Sequence, residues 1–153
     1  MKPNLLDFHL FPLSDWRQLQ ERLSGGNARH VLIVVEQEEN QAELTDYLGK
    51  ILSAVKLNLQ EDTLLLRLTK GENISFSSLA RVHPVRQTLL FGVPPRRLGL
   101  HFTLPPGQLV TAGERAFLYA GPLRSLWEER EAAARPQAAA LWKSLKQLFI
   151  DPY

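Results

Sequence analysis

The chain of 153 residues contains no cysteine. That absence excludes disulfides, thiolate nucleophiles and sulfur-ligated metal sites together, and it fits a reducing cytoplasm. No apolar run reaches the roughly 18 residues that a membrane-spanning helix needs. The N-terminus lacks a basic stretch leading into an apolar core, so no secretory leader is expected. Signature motifs are missing too. No G-x-S-x-G supplies a nucleophile elbow. No Walker lysine loop and no G-x-G-x-x-G follows an apolar run. The four histidines, His9, His30, His83 and His101, show no H-x-H or H-x₃-H pairing. They read as surface or loop residues rather than metal ligands. Neither a catalytic residue, a cofactor nor a metal is expected.

What remains is ordinary in amount but uneven in placement. Net charge is +2, and the hydrophobic share is 44%. Residues 1–80 hold eight basic and eleven acidic side chains, while residues 81–153 hold ten and five. Between 81 and 126 all six basic residues are arginines (Arg81, Arg86, Arg96, Arg97, Arg115, Arg124), against Glu114 alone. Arginine's planar fork suits carboxylate and phosphate partners. The plainer reading is a solvated surface.

Three apolar runs organise the chain: His30–Val35, Thr63–Leu68 and Thr88–Val93. Their nearly continuous hydrophobicity is that of parallel strands covered on both faces. Ala116–Ala120 reads as a fourth strand, with a short piece at Gln108–Thr111 offered ahead of it. Between the runs lie helices. From Glu38 to Val55, apolar residues (Leu44, Tyr47, Leu48, Ile51, Leu52, Val55) recur at spacings of three and four. Gly49 interrupts that helix at a cost of about 1 kcal/mol relative to alanine. Ser75–Ala80 reads as a short crossover helix capped by Ser75 and stopped at His83-Pro84. Leu123–Ala134 turns Leu126 and Trp127 to the core. Gln137–Phe149 forms a last helix with Leu141, Trp142, Leu145, Leu148 and Phe149 inward.

Strands alternating with helices predict an α/β fold: a three-layer sandwich around a mainly parallel four-stranded sheet. Residues 29–153 form its single domain. Residues 1–28 read as an N-terminal arm with a short helix from Ser14 through Leu23, ended by Ser24-Gly25-Gly26-Asn27. One reading packs that helix on the domain edge. The other makes the arm a docking segment, with Phe8, Phe11 and Trp16 as aromatic anchors.

Ligands of open α/β sheets sit at the carboxyl ends of the strands. Those ends read Glu36-Gln37-Glu38, Thr69-Lys70-Gly71 and Pro94-Pro95-Arg96-Arg97. Glu36, Glu38 and Glu39 have the chemistry to position a water or a magnesium ion, or they simply occupy the favourable first turn of the next helix. Arg96 and Arg97 sit on a proline-stiffened loop and are candidates for contacting an acidic partner or a phosphate backbone.

Three stretches carry a family resemblance: Asp15–Gln20 ahead of the first strand, Leu48 through Leu68, and Ala138–Leu145 in the last helix. In order and spacing they resemble the psi subunit of bacterial DNA polymerase III, a clamp-loader accessory protein. The resemblance implies a uracil-DNA-glycosylase-like fold without glycosylase activity. It further implies an N-terminal tail, here around Leu10, Phe11, Asp15 and Trp16, that binds clamp-loader subunits. A globular part would pair with a chi-like protein, with nucleic acid touched only indirectly or weakly. The loop 94–115, rich in proline and arginine, departs from the family pattern and puts the chi-like contact in question. Two alternatives stand beside this reading. An active uracil-DNA glycosylase would rest on Glu36, since Gly121-Pro122 stands where that enzyme class keeps a histidine. A free-standing nucleotide- or peptide-binding domain is the other.

Overall fold

The computed structural model describes residues 23–37, 41–69, 71–100, 109–129 and 136–150. Its frame is a mixed sheet of six strands: β1 (Leu23–Ser24), β2 (Val31–Glu36), β3 (Thr63–Leu68), β4 (Gln87–Phe91), β5 (Leu109–Ala112) and β6 (Arg115–Ala120). The strand order is β1-β3-β2-β4-β6-β5. The four inner strands run parallel, from Val31 opposite Thr63 and Gln87 to Phe91 opposite Ala120. The two outer strands are antiparallel to their neighbours.

The apolar runs fold this way because each must be covered twice. Along β2, Val31, Ile33 and Val35 face one core, and Leu32 and Val34 face the other. The first core lies beneath α1 (Gln41–Ala54), α3 (Leu123–Glu129) and α4 (Pro136–Leu145). The second lies beneath α2 (Phe76–Val82) and a 3₁₀ turn at Pro95–Leu98. Right-handed crossovers account for this division. The chain moves one way from β2 to β3 and back the other way from β3 to β4, so α1 and α2 fall on opposite faces.

The helix boundaries have local causes. Ser75 caps α2, its Oγ accepting from the Ser78 N–H at 3.2 Å. His83, in extended conformation ahead of Pro84, ends it. α1 presents Leu44, Leu48 and Leu52 to the core. The Tyr47 hydroxyl donates to the Leu126 carbonyl at 3.2 Å, tying α1 to α3. Residues 38–40 and 130–135, where the expected helices extend further, lie outside the described residues.

Three expectations change. The sheet has six strands rather than four, because β1 and β5 are short edge pieces that owe their conformation to pairing. The helix expected through Leu23 gives way to strand there, with Leu23 opposite Leu66 and Ser24 opposite Leu65. Gly25 then turns at φ +113°, where a Cβ would fall 2.1 Å from the Thr63 carbonyl oxygen. Gly26 and Ala28 donate their N–H groups to Gln60 and Glu61, so a cut at residue 28 runs through a hydrogen-bonded corner. Residues 14–22 lie outside the described residues. Finally, Trp142 is not core but 42% exposed. The inward stripe of α4 runs through Leu141, Ser144 and Leu145, and the chain continues as a wider π turn over Lys146–Ile150. Trp142, one residue past Leu141, is rotated about a quarter turn out of that stripe.

Two outcomes follow for stability. A Cβ on Gly49 meets nothing within 4 Å, so Gly49→Ala should raise stability by about 0.5–1 kcal/mol in urea unfolding. Trp142→Ala should cost about 1 kcal/mol, against about 2–5 kcal/mol for Leu48→Ala in the core. Equal losses would return Trp142 to the core.

Candidate functional site

In this sheet the direction of chain travel reverses at β2, so the ligand crevice of an open α/β fold lies between the carboxyl ends of β2 and β4. Glu36 is the last residue of β2, and Arg97 comes from the turn after β4. They meet. Arg97 Nη1 donates to Glu36 Oε2 at 2.6 Å, with the side chains 12% and 27% exposed respectively. Arg97 Nε donates to the Glu72 carbonyl at 3.0 Å, and Nη2 to the Thr69 carbonyl at 3.0 Å. All three guanidinium nitrogens are therefore engaged within the chain. One side chain staples the end of β2 to the segments that follow β3 and β4.

The surrounding backbone is arranged to hold Arg97 there. Pro94 and Pro95 start the 3₁₀ turn, and Gly99 ends it at φ +72°. The Ile74 N–H donates to the Arg97 carbonyl at 2.8 Å, linking the loop after β3 to this turn. Glu72 Oε1 accepts from the N–H and the hydroxyl of Thr69, at 3.0 and 3.1 Å. That bond fixes the two carbonyls that receive Arg97.

Among the described residues little space is left there. A cavity of about 20 Å³ lies among Val35, Glu36, Leu44, Phe91, Pro122 and Leu123. That is room for about one water. Gly92, at φ +73°, lets the end of β4 abut the end of β6, for a Cβ there would lie 2.9 Å from Pro122 Cα. The Glu36 carboxylate thus faces a guanidinium rather than an open crevice. Its chemistry here is that of a fixed counter-ion.

The sequence-derived candidates separate. Arg96 is exposed, whereas its neighbour Arg97 points inward. The two side chains therefore have different surroundings, Arg96 in solvent and Arg97 against Glu36. Phe8, Phe11 and Trp16 lie outside the described residues, as do Glu38, Glu39, His9 and His101. Among the described residues no three His, Asp or Glu side chains converge as a metal-ligand group. The staple itself was hidden in the sequence: both partners were visible as single residues, but they lie 61 positions apart. Neither a protein-family model nor a curated protein sequence matches this chain.

If the staple is structural, Arg97→Ala should cost about 2–3 kcal/mol, the range for losing charged hydrogen bonds that are largely buried. Arg96→Ala should stay within about 0.5 kcal/mol. Urea denaturation of the two variants decides. Similar losses in both would remove the staple from the account.

Proposed function

We propose that this protein is a non-enzymatic interaction subunit, psi-like, of the bacterial DNA polymerase III clamp loader, on a uracil-DNA-glycosylase-like sandwich. The observation that carries the reading is the stapled crevice. The place where such a sheet would bind a small ligand is filled by the chain's own Glu36–Arg97 pair. Binding work is then left to the outer surface. The parallel inner strands, with helices on both faces, are compatible with the proposed fold.

Candidate contact points follow from exposure. Trp142 is a large aromatic on the outside of α4, with Lys143 and Lys146 exposed beside it. Aromatic side chains of this kind anchor many interfaces. Arg96 offers an exposed cation at another corner. In this reading the arm around Phe8, Phe11 and Trp16 engages other clamp-loader subunits. A chi-like protein, or a substitute for it, docks on the globular part. No helix among the described residues is long and apolar enough to cross a membrane, and a replication role would put the protein in the cytoplasm. The glycosylase alternative asks Glu36 to activate a water, and its carboxylate already accepts from Arg97 at 2.6 Å.

The test is reconstitution with purified bacterial clamp-loader subunits. The full chain should co-elute with them, and a Phe8→Ala, Phe11→Ala, Trp16→Ala variant should not. The same preparation should release no uracil from single- or double-stranded DNA. Uracil release that disappears in Glu36→Ala would overturn the proposal, as would co-elution indifferent to the three aromatic substitutions.

A further inference from the structure

The opposite end of the sheet, where the inner strands begin, carries an unbalanced pair of charges. We infer that Arg86 and Arg115 form a phosphate-binding groove, suited to a small phosphate monoester that also bears a hydroxyl or amino group. This site is independent of the interaction role proposed above.

The register places the pair. Gln87 stands opposite Ala116 in the parallel β4–β6 ladder. Arg86 and Arg115 are therefore side by side one step earlier, and the Ala116 N–H donates to the Arg86 carbonyl at 2.9 Å. Strand alternation puts Arg115 on the face of Phe117, beneath α2, and Arg86, just ahead of β4, lines the same groove. Arg115 is fixed there. Its guanidinium lies 5.5 Å from the Phe76 ring centroid, and its Nε donates to the Val85 carbonyl at 3.2 Å. Among the described residues its two Nη groups and the whole Arg86 fork remain unengaged, and neither arginine has an ion-pair partner there. Like charges on adjacent strands about 4.8 Å apart repel each other. A shared anion removes that cost.

A groove of about 620 Å³ opens between them, lined by Val85, Arg86, Ala112, Gly113, Glu114 and Arg115. That volume lies within the roughly 300–1,000 Å³ of small-molecule sites. The choice of anion follows from counting acceptors. One arginine fork saturates the two oxygens of a carboxylate, whereas two forks side by side call for the additional oxygens and charge of a phosphate. Glu114 decides between a small ligand and a polyanion. Its carboxylate on the groove wall repels the next phosphate of a nucleic-acid backbone, yet it accepts from a hydroxyl or amine carried by a small ligand.

The test titrates the full chain with inorganic phosphate and with a nucleoside 5′-monophosphate, against sodium chloride at matched ionic strength. Binding is followed through the arginine Nε–H and Gly113 amide resonances. Both phosphate compounds should give saturable shifts that chloride does not. Arg86→Gln removes no side-chain hydrogen bond among the described residues and should stay folded, while weakening both ligands roughly tenfold or more. Glu114→Gln should leave inorganic phosphate unchanged and weaken the monophosphate alone. Three results would overturn the inference. One is the absence of saturation at roughly millimolar ligand. Another is Arg86→Gln binding as well as the parent. The third is binding confined to oligonucleotides, with a log–log salt slope near −0.7 per phosphate.

Discussion

Strand β2 is the constraint on which the rest depends. Val31 through Val35 are all 2% exposed or less, so a chain of this size must bring cover to both faces of one strand. It does so by pairing β2 with β3 on one side and β4 on the other, then laying helices above and below. The reversal of direction at β2 follows, because the two neighbouring strands are reached by crossovers that run opposite ways. That reversal creates the crevice at the carboxyl ends. Among the described residues the amino-terminal ends of β4 and β6 border an open groove, and there Arg86 and Arg115 meet.

The two ends of the sheet treat arginine differently. At the carboxyl end Arg97 has a carboxylate and two carbonyls within hydrogen-bond reach. It serves as a structural cross-link between the end of β2 and the loops after β3 and β4. At the amino end Arg115 has one carbonyl and an aromatic face, and Arg86 has no side-chain partner among the described residues. The excess of arginine over acid between residues 81 and 126 therefore divides into a satisfied group and an unsatisfied one. Only the unsatisfied group has donors left for something outside the chain. Composition alone could not make that division, because it depends on which carbonyls and carboxylates each fork reaches.

Much of the scaffold was legible in the sequence, and the reason is local. The runs that became β2, β3, β4 and β6 are apolar enough to demand burial on both sides wherever they sit. Ser75 and His83-Pro84 bound α2 through bonds and steric limits that span a few residues. The parts that were hidden depend on distant chain. Leu23 takes strand conformation because Leu66 is there to pair with it. Trp142 looked like core because it adjoins Leu141. Small rotations around a helix axis decide which neighbour faces inward, and the stripe through Ser144 and Leu145 turned Trp142 out. Glu36 and Arg97 were each conspicuous, but nothing short of the β2–β4 register could bring them together. Phe8, Phe11 and Trp16, in the arm, rest on the sequence alone.

The central claim is that the fold itself closes the ligand end of the sheet, and native-state hydrogen exchange reads this most directly. The reporting amides are Gln37, Ile74, Gly92 and Arg97, bonded to the carbonyls of Leu68, Arg97, Ala120 and Pro94 respectively. With the staple in place they should exchange at the free energy of global unfolding, together with the amides of β2. In Arg97→Ala, Ile74 and residue 97 should drop to a lower, separate opening energy while β2 keeps its own. Fast, independent exchange of these four amides in the unmodified protein would mean that the crevice opens on its own, and would contradict the account.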